Sequence, residues 1–187
     1  MAYNPAIHHR RSIRLKGYDY SQEGMYFVTI CCQDMVCRFG KIENGEMILN
    51  NAGKMIYEEW VKSAEIRKEI EIHEHVVMPN HFHAIVEIVG AYGIRPNNND
   101  IRPDDNADNG GVCRDKGVCH TPLRSPSKTV GALIRGFKSS VTKRLGFSVW
   151  QRNYWEHIIR NEKSYQYIAD YIISNPTNWH NDKFYTE

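Results

Sequence analysis

Residues 26–32 read YFVTICC, a run of β-branched, aromatic and small apolar side chains that predicts a buried strand. A short hairpin follows over 38–49, with Asn44-Gly45 at its turn, where positive φ is needed at both central positions. In 51–68, Ile56, Trp60, Val61 and Ala64 recur at helical spacing, and Asn50 or Asn51 can cap the start. Over 70–78, Ile70, Ile72 and Val76 alternate with charged residues, as on a strand. Met78-Pro79-Asn80 ends that strand in a turn, because proline lacks the N–H that a ladder requires. The next strand, 81–89 (HFHAIVEIV), shows no clean alternation, which suits burial on both faces for part of its length.

The pattern then breaks. Residues from about 90 to 125 contain IRPNNND, IRPDDNADNGG and GVCRDKGVC, near-duplicated units poor in large apolar side chains, and an exposed, mobile insertion is expected. A basic amphipathic helix follows over 127–145, its stripe made by Val130, Leu133, Ile134, Phe137 and Val141. Residues 149–160 hold an extended segment. The last helix, 162–174, has Asn161 as its cap and Pro176 just beyond its end. This order predicts one domain over 1–187 with an α+β fold: a two-layer sandwich whose mostly antiparallel sheet carries helices on one face, as in ferredoxin-like folds.

A chain of 187 residues with 41% hydrophobic and 25% charged residues can bury a core, which excludes wholesale disorder. No apolar run approaches the roughly 20 residues of a membrane span. The beginning lacks the apolar stretch of a secretory signal, and five cysteines, two of them adjacent, make a poor disulfide framework. A cytoplasmic protein is expected. Cys113, Cys119 and His120 have no zinc-like spacing, and Cys31, Cys32 and Cys37 read as buried or half-buried thiols.

Net charge is only +2, but it is unevenly spread. From 127 to 160 the basic residues Lys128, Arg135, Lys138, Lys143, Arg144, Arg152 and Arg160 face one acid, Glu156. With the arm Arg10, Arg11, Arg14 and Lys16 they could follow a phosphate backbone; a solvated helix face is the competing reading. Trp150, Tyr154 and Trp155 could stack on unpaired bases, though at least two of the three are expected in the core.

His81 and His83 flank Phe82. On a strand they share one face while Phe82 enters the other, so two imidazoles project together, a common start for a metal site. Taken alone, such a pair is more often two exposed or hydrogen-bonded histidines. Tyr171 and Asn175 stand four apart and share a helical face. Singly, each has an ordinary structural explanation, Asn175 as a helix C-terminal residue before proline.

Together, MPNHFHAIVEI (78–88) and WQRNYWEHIIRNEKSYQYIADYIISNPTNW (150–179) resemble the single-tyrosine HUH transposases. The REP-associated tyrosine transposases and the insertion-sequence transposases of that class are the nearest in pattern. The resemblance covers nearly the whole chain outside the insertion. It implies that Tyr171 is a nucleophile and that His81, His83 and Asn175 hold one divalent cation, Mg²⁺ or Mn²⁺. It further implies that single-stranded or hairpin DNA is cut through a 5′-phosphotyrosine and rejoined. Tyr167, one helical turn before Tyr171, is the competing nucleophile. A domesticated nucleic-acid-binding protein of the same fold, and a hydrolase using water, are the alternatives; monomer and homodimer both remain open.

Overall fold

The computed structural model describes residues 18–20, 22–89 and 129–186. The expected insertion, the arm carrying Arg10, Arg11, Arg14 and Lys16, the residues Lys128, Cys113, Cys119 and His120, and the extent of the domain over 1–187 lie outside the described residues. The elements run in the order β1 (Gly24–Cys31), β2 (Gly40–Glu43), β3 (Glu46–Leu49), α1 (Asn51–Ile66), β4 (Ile70–Val77), β5 (His81–Ile88), α2 (Val130–Leu145), β6 (Trp155–Ile159) and α3 (Glu162–Ser174). Strands β4, β5, β1 and β6 form one antiparallel sheet in that order. The β2–β3 hairpin stands apart, and Asn44 and Gly45 take the positive φ its turn demands.

The α+β class and the antiparallel sheet are as expected; the placement of the helices is not. Helices α1 and α2 cover one face, where Ile56, Trp60, Leu133 and Phe137 meet Tyr26, Val28, Ile30, Phe82 and Val86. Helix α3 covers the opposite face, where Ile168, Ala169 and Ile172 meet Phe27, Ile85 and Ile159. The expectation of helices on one face is therefore corrected to a sheet between two helical layers. The cause is visible in β1 and β5: both alternate sides are apolar at their centres, and each needs a cover.

A polar clasp joins α1 to α2. Glu59, only 6% exposed, accepts from the Ser140 hydroxyl and, at 3.0 Å, from Arg144 Nη1. Its carboxyl is held below the usual glutamate range, chiefly by the Ser140 bond, with Arg144 assisting and burial opposing. A carboxylate lowered in the folded state contributes stability above its unfolded pKa of about 4.3, and loses it as pH falls through the folded value. Glu59→Gln is expected to lower the melting temperature by roughly 3–8 °C at pH 7. The gap from wild type should close as pH drops below about 4. Equal melting temperatures at pH 7, measured by circular dichroism, would contradict the clasp.

Candidate metal and nucleophile site

Alternation along β5 sends Phe82, Ala84 and Val86 into the α1–α2 core and leaves His81 and His83 on the α3 side. Their rings lie 4.4 Å apart, and exposure is 0% for His81 and 1% for His83. Burial pushes the pKa of His81 down to about 4, with Asp182 opposing and Lys183 assisting. His83 is pushed well below its ordinary value, first by burial, then by His81 and Lys183. Both imidazoles are therefore neutral at physiological pH, the form that ligates metal.

Asn80 fixes the first ring. Its amide nitrogen donates to Met35 O at 3.1 Å and Phe184 O at 2.8 Å, so its oxygen must face His81 Nδ1, 2.9 Å away. The proton then resides on Nδ1, and Nε2 presents a lone pair. That Nε2 is buried without a hydrogen-bond partner among the described residues. His83 Nδ1 lies 2.8 Å from the buried Thr29 hydroxyl, which can donate or accept. Its Nε2 lies 3.2 Å from the Tyr171 hydroxyl.

Helix α3 brings Tyr171 and Asn175 to the pair. Asn175 has right-handed helical φ and ψ, so the left-handed cap that favours asparagine does not explain it. It is 2% exposed, and its Nδ2 donates to Asp182 Oδ2 at 2.8 Å. Its Oδ1 is a second buried acceptor with no partner among the described residues. Tyr171 donates to the same Asp182 oxygen at 3.0 Å, and its ring stacks edge-on to Phe27. Burial first, then Asp182, raises the pKa of Tyr171. Tyr167 is 77% exposed, and Tyr165 donates to Glu74 on β4.

Asp182 was not legible in the sequence. It follows the last helix by a loop and a short 3₁₀ turn at Trp179–Asn181, and only a lone carboxylate in an aromatic tail marks it. One ligand atom each from His81, His83 and Asp182 lie within 4.8 Å of one another. Two neutral nitrogens, a carboxylate and an orphaned amide oxygen are a donor set that fits a divalent cation. A second cluster, Glu71, His73 and Glu87, is more exposed and already joined by a 3.1 Å His73–Glu87 bond.

The expected basic track is divided. Helix α2 lies on the face opposite the histidines, so Arg135, Lys143 and Arg144 do not border the pair. Lys138 donates to the carbonyls of Gln151 and Asn153 at 2.8 and 2.7 Å, and burial pushes its pKa down to about 8. Arg144 is held by Glu58 and Glu59. Arg135, Lys143 and Arg152 are exposed. Trp150 is buried and Tyr154 packs on the core, as expected for two of the three aromatics, while Trp155 is 54% exposed. Cys32 is buried and Cys31 half-buried, but Cys37 is exposed, because it lies beyond β1.

No family model matches the chain. An uncharacterized protein of Haemophilus influenzae is 40% identical over 199 aligned positions, spanning 99% of this chain and 98% of that protein. The REP-associated tyrosine transposase of Escherichia coli is 44% identical over 43 residues, 22% of this chain and 26% of that one. The solved structure of a REP-associated tyrosine transposase bound to a REP hairpin aligns with a TM-score of 0.52 and 21% identity, over 89% of this chain and 74% of that one. The chain belongs to the same family as the Haemophilus influenzae protein, a family built on the fold of the REP-associated tyrosine transposases.

Proposed function

We propose that this protein cleaves and rejoins single-stranded DNA, including strands beside hairpins, through a covalent 5′-phosphotyrosine on Tyr171. The observation that carries the reading is the Tyr171 hydroxyl between His83 Nε2 and Asp182 Oδ2, at 3.2 and 3.0 Å. A tyrosine placed only for packing has no need of an imidazole nitrogen and a carboxylate at its oxygen.

His81, His83 and Asn175, joined by Asp182, would hold Mg²⁺ or Mn²⁺; a divalent cation there supplies Lewis-acid polarisation of the scissile phosphate. The remaining chemistry belongs to the chain. Tyr171 Oη attacks phosphorus, the bond from phosphorus to the 3′ oxygen breaks, and the downstream strand is left on the tyrosine. The tyrosine proton passes to Asp182, which already accepts it in a hydrogen bond, and the departing 3′ oxygen takes a proton from solvent. The reverse attack by a 3′-hydroxyl rejoins a strand, because the ester linkage is conserved. One tyrosine cuts one strand, and an unpaired strand can bring its phosphate to an oxygen set between sheet and helix.

Two outcomes test this reading. With Mn²⁺ and a hairpin oligonucleotide carrying a single-stranded flank, wild type and Tyr167→Phe should form a protein–DNA adduct that survives denaturing electrophoresis. Tyr171→Phe should form none, a loss of at least about 10³-fold, while DNA affinity changes little. Continued cleavage by Tyr171→Phe without an adduct would favour water as the nucleophile.

Metal binding is read separately. The His81→Ala, His83→Ala double variant should lose Mn²⁺ affinity by at least about 100-fold, measured by electron paramagnetic resonance of free Mn²⁺. Unchanged affinity would remove the proposed metal centre.

A further inference from the structure

On the α3 side of the sheet, edge strand β6 presents Trp155, His157 and Ile159, opposite Thr29, Phe27 and Met25 of β1. Helix α3 covers Ile159, leaving it 7% exposed. Trp155 and His157 are exposed, so this end of the face is open. Directly opposing side chains on antiparallel strands start about 5 Å apart. Trp155 therefore stands next to Thr29, whose hydroxyl is 2.8 Å from His83 Nδ1. From the other side, Lys183 places its ammonium 5.3 Å from the Trp155 ring centroid and 4.7 Å from that of Phe184. Phe184 in turn lies 4.7 Å from the His81 ring. Among the described residues, no carboxylate pairs with Lys183.

An exposed indole with one strand between it and the histidine pair, bordered by a cation that no carboxylate of the described residues pairs, matches the two demands of an unpaired nucleotide. The base has an aromatic face to stack, and the phosphate has a charge to neutralise. A duplex offers no free base face, and an apolar protein partner would not favour the cation.

We infer that Trp155 and Lys183 form a nucleotide subsite beside the histidine pair, where an unpaired base of single-stranded DNA stacks on the indole and its phosphate meets the ammonium. The inference rests on the DNA reading proposed above and names how the strand is held.

The test is fluorescence anisotropy of a labelled single-stranded 12-mer at fixed salt, without cleavage, using full-length wild type, Trp155→Ala, Trp155→Phe and Lys183→Gln. Trp155→Ala should weaken binding by about 10-fold or more, and Trp155→Phe, which keeps an aromatic face, by no more than about 3-fold. Lys183→Gln should lower the slope of log affinity against log salt by about 0.7. Mn²⁺ binding should be unchanged in the two Trp155 variants and no weaker in Lys183→Gln, which removes a cation beside Asp182, and this shows that the fold is intact. Should Trp155→Ala fail to fold, a scan of single abasic sites against wild type decides: one position should lose about 10-fold relative to its neighbours. Equal affinity of wild type and Trp155→Ala, a flat abasic scan, or an equal Trp155→Ala penalty on blunt duplex would overturn the subsite. Binding is read without the covalent step, so failure of the tyrosine mechanism and failure of the stacking site give different results.

Discussion

The structure depends on the cost of burying two imidazoles side by side in a sheet. His81 and His83 are almost wholly removed from water, and neither can take up a second proton and become charged there without a large desolvation penalty. Such a pair persists only if its nitrogens are otherwise provided for. Three of the four are: Asn80, Thr29 and Tyr171 take one each. The fourth, His81 Nε2, has no partner among the described residues, and neither does Asn175 Oδ1. Unmatched buried polar atoms cost about 1–3 kcal/mol each, and these two belong to a donor set that fits a cation.

Asp182 makes the arrangement one unit. Its Oδ2 accepts from both Tyr171 and Asn175, while its Oδ1 accepts from the Phe184 amide at 2.6 Å. The segment after α3 is thereby folded back over β5, and Asn80 holds it from the sheet side through Phe184 O and Thr186. Tyr171, Asn175 and the tail are positioned by the same few hydrogen bonds. The sheet fixes the histidines, the helix fixes the tyrosine, and the carboxylate sets the distance between them.

Much of this was legible because local rules decide it. The period of two puts His81 and His83 on one face, the spacing of four puts Tyr171 and Asn175 on another, and Asn44-Gly45 forces the hairpin turn. What was not legible was long-range. Nothing local tells α3 from α1 and α2, yet α3 takes the opposite face because Phe27 and Ile85 need a cover. Asp182 gains meaning only when the tail folds back. The basic residues of α2 looked continuous in sequence, but a helix packed on the far face carries them away from the histidines, and Lys138 turns inward to two backbone carbonyls. Charge counted along the chain does not say which face of the sheet receives it.

The central claim is that one oxygen, that of Tyr171, becomes esterified to DNA. Mass spectrometry of the trapped complex reads this directly. Digestion with trypsin after Lys163 and Lys183 releases residues 164–183, a peptide that holds Tyr165, Tyr167 and Tyr171 together. After nuclease trimming, fragment ions should place the residual nucleotide mass on Tyr171, with Tyr165 and Tyr167 unmodified. A nucleotide on Tyr165 or Tyr167, or an unmodified peptide from a protein that has cut its DNA, would contradict the account.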